Sequence, residues 1–509
     1  MQSEKQKRRM QKIRRFLLGP WMLLILGVAG IAYGNYKFFR VVPQVLCGDV
    51  KKEDRKAACP DLAEEMFKHG SLGAENERGM PYPIFYVLPI VFPDLMPNKG
   101  EGGYLAFGLP WEEGRELPSG FSKKTMGFER ITQTCAICHT ASYRMKPEDK
   151  PTLVAGGPSH TSNVQEFLRF LQRAANDPRF TADVLLPEIE RQFTLGLDDK
   201  LIYRFILIPI TKRRILEQAN GFQWMEHEFR PGVKRPDWGP GRDDPMNLTK
   251  FFLLKADIRK DQTTGNADFP AIWDLGSREG HSLNYAGETL DPLAVLIDSA
   301  LGLGAPPGPQ FIKQMKEIRA FLRNKAAPRY PLAPDEGALD VLAGKAIYAQ
   351  QCGGCHSYGG SYYGKVIPIA EIGTDRERFD TWQQEDADGA NRVAKEMGAE
   401  RRNMIKANGY ASGPLSGVWL RAPYLHNGAV PSLKALLNPP VLRPKTFFRG
   451  CDLYDAENMG FVSQENDAKC LNRFSFDTSL PGNGNKGHTY GVWLGDPEKR
   501  QLIEYLKTM

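Results

Sequence analysis

Two short runs of the sequence, QTCAICHTA and QQCGGCHSY, share one spacing of thiol and imidazole side chains. The residues concerned are Cys135, Cys138 and His139 in the first run and Cys352, Cys355 and His356 in the second. Two thiols three residues apart can both form thioethers to one porphyrin edge while the next residue coordinates the iron, so this is the attachment pattern of c-type haem. The chain has only eight cysteines and eight histidines in 509 residues, which argues against coincidence. The sequence therefore predicts two covalently attached haem c groups.

A structural zinc site is the alternative, because a Cys-x-x-Cys-His unit can also supply metal ligands. Two such units would offer six ligands, however, where structural zinc takes four. We therefore favour haem, with His139 and His356 as the iron ligands supplied by the two motifs.

The first forty residues have the features of a membrane-targeting segment. Residues 1–15 carry seven basic side chains and one acidic, and an apolar run of nineteen residues follows from Phe16 to Gly34. A bilayer-spanning helix needs about 20 apolar residues, and a basic flank stays on the cytoplasmic side. We expect a single-pass anchor in the inner membrane over residues 16–34, with the haem-bearing part in the periplasm. A cleaved signal peptide is the competing interpretation, with Gly30 and Ala32 as the small residues near the cleavage site.

The charge distribution bears on the kind of partner. The whole chain has a net charge of +7, and the basic tail accounts for six of these charges. The exported part is therefore nearly neutral, so we expect no nucleic-acid partner. The expected partners are a redox protein or a quinone-linked electron donor or acceptor, a small-molecule oxidant, and the membrane through the N-terminal helix.

Four cysteines remain outside the two motifs. In an oxidising compartment they are interpreted as two disulfides between sequence neighbours, Cys47–Cys59 and Cys451–Cys470, which is one of three possible pairings. Free thiols are the other interpretation.

Helical periodicity indicates which elements carry the motifs. The run SNVQEFLRFLQRAAND after the first motif has a helical apolar face, and LDVLAGKAIYAQQCGGCH predicts a helix that delivers the second motif. A C-terminal helix in GDPEKRQLIEYLKTM presents Leu502, Ile503 and Leu506, which we expect to pack on the helix before Cys352. A Pro-rich linker near residues 326–337 marks a boundary. The predicted division is a basic tail (1–15), an anchor (16–34), a wrapping segment (35–100), a first haem domain (101–327) and a second haem domain (328–509).

Four further runs carry a family resemblance. They are DWGPGRDD (237–244), ADFPAIWDLGSREG (267–280), GVWLRAPYLHNGAVPSLKALL (417–437) and NKGHTYG (485–491). Together with the two motifs, over residues 100–509, they resemble the diheme cytochrome c peroxidase superfamily and are most similar to its rubber-oxygenase-like branch. The resemblance implies a mostly α fold class of two cytochrome-c-like haem domains with long irregular loops, to which the N-terminal transmembrane helix is added. One haem would be the catalytic site, and the other would relay electrons through a tryptophan.

The resemblance also implies roles for single residues. His488 in NKGHTYG would be the second axial ligand of the second haem, opposite His356, and Trp238 would be the aromatic bridge between the haems. Arg242 would pair with a haem propionate, for which an ordinary surface ion pair is the alternative. His426 would hold a propionate or a loop rather than iron.

The second axial position of the first haem is left open by the sequence. His160, twenty-one residues after His139, could cap the iron as in peroxidases of the superfamily. His281 could be a ligand or an acid–base group. In the rubber-oxygenase-like branch this face is open and apolar, and Phe251 and Phe252 are the nearest candidates for lining it. We favour the open face, with His139 and Trp238 as the catalytic residues.

These observations predict a membrane-anchored periplasmic diheme c-type cytochrome. It would be a haem oxidoreductase of the peroxidase or oxygenase type that activates hydrogen peroxide or dioxygen at the first haem. The alternative is a non-catalytic electron-transfer cytochrome with two six-coordinate haems. The long aromatic loop region between the motifs favours the enzyme, because a pure relay needs no such lining.

Overall fold

The structure, a computed structural model, describes residues 22–47, 61–283, 285–396, 403–464, 470 and 472–509. The predicted basic tail and the start of the predicted anchor lie outside these residues. The α-helices are α1 Met22–Phe39, α2 Leu62–His69, α3 Glu75–Arg78, α4 Tyr82–Val91, α5 Val164–Asn176, α6 Ala182–Gln192, α7 Leu197–Ile202, α8 Ile208–Gly221, α9 Pro245–Phe252, α10 Pro292–Gly302, α11 Pro309–Asn324, α12 Leu339–Gln351, α13 Gly353–His356, α14 Ile369–Ile372, α15 Glu377–Thr381, α16 Gln384–Glu396, α17 Leu433–Leu436 and α18 Asp496–Leu506.

The strands are short and pair antiparallel. They are β1 Met80–Pro81, β2 Phe121–Met126, β3 Phe128–Gln133, β4 Thr140–Tyr143, β5 Thr152–Ala155, β6 Glu228–Arg230, β7 Val233–Lys234, β8 Arg242–Asp243, β9 Ala267–Asp268, β10 Val366–Pro368, β11 Gly409–Ala411, β12 Thr446–Arg449, β13 Tyr454–Asp455, β14 Gly460–Phe461 and β15 Phe474–Asp477. Within the described residues, β1, β3 and β2 form a three-stranded sheet, and the other strands form six two-stranded ribbons.

The expected fold class, mostly α with two cytochrome-c-like haem domains, is wrong. The structure is 46% helical and 12% strand, with its strands spread over several small sheets. Its core around Trp419 also contains Ala141 and Trp273 together with Leu502, so side chains from before and after the Pro-rich linker share one interior. Strands of two to four residues show no readable alternation, which is why the sequence did not reveal them. The domain boundaries drawn from the sequence remain predictions.

The helices that support the motifs are confirmed. Helix α5 occupies the periodic run after the first motif, and the side chain of Asn163 caps it by accepting from the backbone N–H of Glu166. Helix α12 ends at Gln351, directly before the second motif. Leu502, Ile503 and Leu506 are buried on α18, which packs against α12 as expected. The second motif is therefore held by a helix pair rather than by a loop.

The longest strand pair is a hairpin in which β2 and β3 are joined through Gly127. Gly127 has φ of +72°, a left-handed conformation that favours glycine. A Cβ atom at this position would lie 2.6 Å from Cα of Phe38, so the turn sits against the end of α1. The hairpin thus connects the N-terminal helix to the folded body and leads, through β3, to the first motif.

The N-terminal helix α1 is long and apolar enough to be a membrane span or a signal sequence. It covers 18 residues with a mean hydropathy of 1.4, and none of that length is buried. The expected anchor over residues 16–34 overlaps it from Met22 onwards. The predicted Cys451–Cys470 disulfide is confirmed. Cys47 is disulfide-bonded, and its predicted partner Cys59 lies outside the described residues.

The contact between α12 and α18 depends on Gly344. A Cβ atom on Gly344 would lie 1.9 Å from the carbonyl oxygen of Gln501 and 3.0 Å from Cβ of Tyr505. We expect Gly344→Ala to push the two helices apart and to lower the free energy of unfolding by about 1–3 kcal/mol, as overpacked cores do. Thermal unfolding of the full chain in detergent, followed by circular dichroism, measures this change.

Gly302 provides the matched control, because it also lies in a helix and has no atom within 4 Å of its Cβ position. Gly302→Ala is expected to leave stability unchanged or to raise it by up to about 1 kcal/mol. Equal unfolding temperatures for Gly344→Ala and the unmodified chain would contradict the packing described here.

Candidate functional site

A second histidine, His488, lies opposite His356, the histidine of the second motif. His356 lies in the short helix α13, and its Nδ1 is 2.7 Å from the carbonyl oxygen of Gly413, which holds the ring by one nitrogen. The ring centroids of His356 and His488 are 6.3 Å apart. Metal–nitrogen bonds to imidazole are about 2 Å long, so two rings that bind one metal from opposite sides have centroids roughly 6 Å apart. The pair therefore has the separation that a shared metal requires.

The loop that carries His488 is held in an uncommon conformation. His488 has φ of +46°, and its backbone N–H donates to the carbonyl of Ile372 at 2.8 Å. The buried side chain of Arg443 donates to the carbonyl oxygens of Asn485 at 2.6 Å and Gly487 at 2.8 Å. A left-handed non-glycine residue persists only where its surroundings enforce it, and such residues cluster at functional sites. No motif or spacing marked Arg443 for this task.

The first motif forms a tight turn between β3 and β4. Cys135–Ile137 make one 3-10 turn, and the side chain of Thr134 caps it by accepting from the N–H of Ala136. Nδ1 of His139 lies 3.0 Å from the carbonyl oxygen of Pro270. Burial lowers the pKa of His139 to about 4, so the imidazole is neutral and able to bind a metal at neutral pH. Both motifs thus hold their histidine by Nδ1 and leave Nε2 for a ligand.

One cavity of about 1110 Å³ contacts both motifs. Pockets for a single drug-sized ligand measure about 300–1,000 Å³, so this cavity has room for more than one such group. All four motif cysteines line it, and none of them forms a disulfide. Its wall also includes His488 and many apolar side chains from helices α9 and α10. This chemistry, two thiols and one imidazole at each of two points on a largely apolar cavity, fits haem c.

Three arginines in the cavity wall have buried guanidinium nitrogens that lack a hydrogen-bond acceptor. Arg278 and Arg421 each have an Nε that meets no hydrogen-bond acceptor, and Arg378 has two such nitrogens. Burial lowers the pKa of Arg421 to about 9 and also lowers that of Arg278. Nη1 of Arg378 lies 3.2 Å from a carboxylate oxygen of Glu288. Arg421 donates to the carbonyls of Pro414 and Ser416. The donors that remain without an acceptor are suited to a ligand with carboxylate groups, such as the propionates of haem.

Sequence reasoning missed these three arginines. Arg278 and Arg421 stand within the runs 267–280 and 417–437, which carry the resemblance, but an arginine in a run does not reveal that it is buried. Arg378 belongs to no recognised run. The signal that identifies all three is structural, namely a guanidinium that is buried in a cavity wall without enough acceptors.

His426 and Trp238 both line the cavity. His426 stacks on Tyr410 with ring centroids 4.3 Å apart, and its Nε2 has no partner. Burial lowers its pKa well below the ordinary range. Trp238 is buried in a cluster with Phe222 and Trp224. The roles predicted for His426 and Trp238 remain predictions, and their positions on the cavity wall are compatible with them.

Arg242 is fully buried but does not line the cavity. Its guanidinium donates to the carbonyl of Trp238 at 2.6 Å, to the side-chain oxygen of Asn483 at 2.8 Å and to the carbonyl of Asp237 at 3.0 Å. Because these donors are used within the protein, Arg242 is better suited to holding the 237–244 run than to binding a propionate directly. Its cofactor-binding role stays a prediction.

Of the four residues considered for the second axial face of the first haem, two line the cavity and two do not. His281 and Phe252 line the cavity, whereas His160 and Phe251 do not. His160 is buried and stacks on Phe461 with centroids 3.7 Å apart. The aromatic ring recorded near His139 is Phe269, at 6.5 Å between centroids. Within the described part of the chain, His139 therefore has no facing histidine of the kind that His356 has.

Comparison with known proteins connects this site to a cytochrome family. A sequence model of the family described as RoxA-like, cytochrome c-like matches residues 409–448. The matched segment contains Gly413, Arg421 and His426, so it includes the carbonyl that holds His356 and part of the cavity wall. Over these residues the chain resembles RoxA-like cytochromes c. The match favours haem c as the cofactor and an oxidoreductase type of cytochrome.

Two uncharacterised proteins of Sinorhizobium fredii (strain NBRC 101917 / NGR234) are also similar to the chain. Protein y4iJ is 27% identical, and the alignment covers 74% of this chain and 76% of y4iJ. Protein y4iM is 25% identical, and the alignment covers 47% of this chain and 64% of y4iM. Because both are described as uncharacterised, they establish a sequence relationship and indicate no activity.

The buried His160 makes the fold sensitive to acid. Burial lowers its pKa from 6.5 to about 4, so between these values the unfolded chain binds a proton that the folded chain does not. The free energy of unfolding therefore falls as the pH drops from about 6.5 to about 4, by up to about 3 kcal/mol from this one residue. We expect His160→Gln to lose this part of the pH dependence, as measured by chemical denaturation at pH 7 and pH 4.5.

The same variant tests the position of His160 relative to the cofactor. Because His160 does not line the cavity, His160→Gln should leave the visible absorption spectrum of the bound haem unchanged at neutral pH. A change of spin state in this variant would instead identify His160 as an axial ligand.

Proposed function

We propose that this chain is a membrane-anchored, periplasmic diheme c-type cytochrome of the peroxidase superfamily. It activates hydrogen peroxide or dioxygen at the haem of the first motif and uses the haem of the second motif for electron transfer. The observation that carries the proposal is the asymmetry between the motifs. His356 faces His488 at 6.3 Å, whereas among the described residues His139 has no histidine at such a distance and the aromatic ring beside it is that of Phe269, at 6.5 Å.

The residues around each motif determine which reaction occurs at which site. When bound at His139, haem would supply the binding and reduction of a small oxidant. His139 is kept neutral by burial and oriented by the carbonyl of Pro270, which presents Nε2 as the ligand. His488 closes the second site opposite His356, so that site exchanges electrons and takes no small ligand.

The cavity wall provides the other functions. Arg278, Arg378 and Arg421 hold the carboxylates of the cofactor, which compensates their buried charge. Apolar side chains around the first motif exclude bulk water. Trp238, buried and on the wall of the cavity that reaches both motifs, is the hopping point for electrons between them.

Location and partners complete the proposal. Helix α1 anchors the chain in the inner membrane, and the Cys451–Cys470 disulfide is in keeping with an oxidising compartment such as the periplasm. A redox protein or a quinone-linked donor or acceptor exchanges electrons with the second haem. The exposed aromatic rings of Tyr358 and Tyr362 beside the second motif are suited to such an encounter.

Replacing His488 tests the division of labour. We expect His488→Ala to convert the second haem from low spin to high spin, because the iron loses one axial ligand while the thioethers to Cys352 and Cys355 remain. The unmodified protein should bind one equivalent of carbon monoxide in its reduced form, and the variant should bind two. Paramagnetic resonance and carbon monoxide titration of full-length protein measure both quantities.

His227→Ala is the matched control, because His227 is exposed and should leave the spectra unchanged. A wild-type low-spin signal in His488→Ala would show that the ligand assignment is wrong. Two low-spin haems that bind no carbon monoxide in the unmodified protein would favour the alternative, a non-catalytic electron-transfer cytochrome.

A further inference from the structure

The helix α7 and the π-helical turn Tyr203–Leu207 that continues it expose an unusual set of apolar side chains. Leu197 is 77% exposed, Leu201 is 51% exposed and Phe205 is 68% exposed. Residues four apart lie on the same side of a helix, so these three form one stripe. We name this stripe the apolar ridge. Nothing in the described part of the protein covers it.

The start of the ridge is tied to the end of helix α1. Nζ of Lys37 lies 2.7 Å from a carboxylate oxygen of Asp198 and 2.6 Å from one of Asp199. The hydroxyl of Tyr33 also donates to Asp198. Because these residues come from the last two turns of α1 and the first turn of α7, the ridge begins beside the point where α1 ends.

The end of α1 is also fixed to the folded body. Phe38 packs edge-on against Phe128 with ring centroids 5.7 Å apart. The N–H of Gly127 donates to the carbonyl of Arg40 at 2.7 Å, and the N–H of Val42 donates to the carbonyl of Thr125 at 3.1 Å. The hairpin β2–β3 therefore holds the end of α1, so the ridge has a defined position relative to α1.

The dimensions of α1 indicate what surrounds the ridge. Eighteen residues of α-helix extend about 27 Å, close to the thickness of a bilayer's hydrocarbon core of about 30 Å. Tyr33 and Tyr36 lie near the C-terminal end of α1, where interfacial tyrosines occur in membrane helices. When α1 spans a membrane, the ridge consequently lies at the level where the helix leaves the lipid.

The charges beside the ridge suit the same location. Lys200 and Arg204 lie within the segment 197–205 and are paired with Glu190 and Asp183. Long basic side chains at an interface can place their stems along apolar surface and their charged ends in the headgroup region. With Asp198 and Asp199 the segment carries as many acidic as basic residues, so its exposed leucines and phenylalanine, rather than its charge, give it the character of an interfacial membrane segment.

We propose that the apolar ridge inserts into the outer leaflet of the membrane that α1 spans, and that the haem-bearing body is thereby held against the phospholipid surface in one orientation. This inference rests on the proposed anchoring by α1. The occupant is phospholipid rather than another protein, because the start of the ridge is ion-paired to the end of a helix that is apolar and has no buried residue. Two attachments, a spanning helix and a lipid-embedded ridge, restrict rotation of the body about α1.

Photolabelling tests the proposal on the full-length haem-loaded protein. The protein is placed in vesicles of phosphatidylethanolamine and phosphatidylglycerol that contain a phospholipid with a photoactivatable group in its acyl chain. After illumination, peptides that cover residues 197–205 are expected to carry label together with peptides of α1. The internal control is the region of Val441 and Leu442, which are 83% and 68% exposed and comparably apolar, and which should carry at least tenfold less label.

Matched variants then distinguish insertion of the ridge into the bilayer from non-specific labelling of exposed apolar surface. Leu201→Glu with Phe205→Glu should reduce the label on residues 197–205 at least fivefold and leave the label on α1 and the haem spectrum unchanged. Val441→Glu with Leu442→Glu should change none of these quantities. Haem absorption and near-ultraviolet circular dichroism verify that both variants fold.

Two results would overturn the proposal, and they differ in meaning. Label on α1 with no more label on residues 197–205 than on the control region would refute insertion of the ridge and leave the anchoring intact. Absence of label from both would refute the anchoring as well, without bearing on the two-haem assignment, which the spectra report separately.

Discussion

Protein interiors are packed as densely as organic crystals, so a chain that encloses a cavity of about 1110 Å³ depends on whatever fills it. The other features of the site fit the need for a bound group that fills the cavity. Four thiols offer covalent attachment at two points, apolar side chains offer surface for flat rings, and three arginines keep buried donors that meet no acceptor. A filled cavity would supply the packing and the acceptors for these donors. The cofactor is in this sense part of the interior of the protein.

Backbone carbonyl groups orient the histidines of the two motifs. The carbonyl oxygens of Pro270 and Gly413 each accept a hydrogen bond from Nδ1 of one motif histidine. This bond leaves Nε2 as the nitrogen that is free to bind a ligand. On the opposite side of the second site, Arg443 holds the loop that presents His488 in a left-handed conformation. A rigid pair of opposed imidazoles needs no rearrangement when an electron arrives.

The sequence predicted those parts of the structure that depend on local patterns. The two attachment motifs, the helices α5, α12 and α18 and the Cys451–Cys470 pairing follow from spacing, periodicity and compartment, and the structure confirms these helices and this disulfide. The resemblance directed attention to His488, which the fold brings opposite His356. The fold class was wrong, because the ribbons are too short to alternate and because Ala141 and Trp273 join the core of the other half of the chain.

Other parts of the site could not be read from the sequence. Every residue has a backbone carbonyl, so the amino-acid sequence cannot show that those of Pro270 and Gly413 contact the motif histidines. The cavity arginines were invisible for a related reason, since only tertiary burial separates Arg378 from an ordinary surface cation. Arg242 had a suggestive place in a family-like run, yet its donors are used on the protein itself. His160 likewise had a suitable spacing, but its ring stacks on Phe461.

The sequence separations within the two sites set an order for their assembly. The carbonyl that holds His139 comes 131 residues later in the chain, whereas the one that holds His356 comes 57 residues later. Residue 488, opposite His356, stands near the very end of the 509 residues. For a chain exported from its N-terminus, as proposed above, the surroundings of the first motif can be completed while the last part of the second site is still inside the cell. The contact between His356 and residue 488 also closes a long loop, and such contacts form slowly, so in the proposed diheme protein the second site is the last to close.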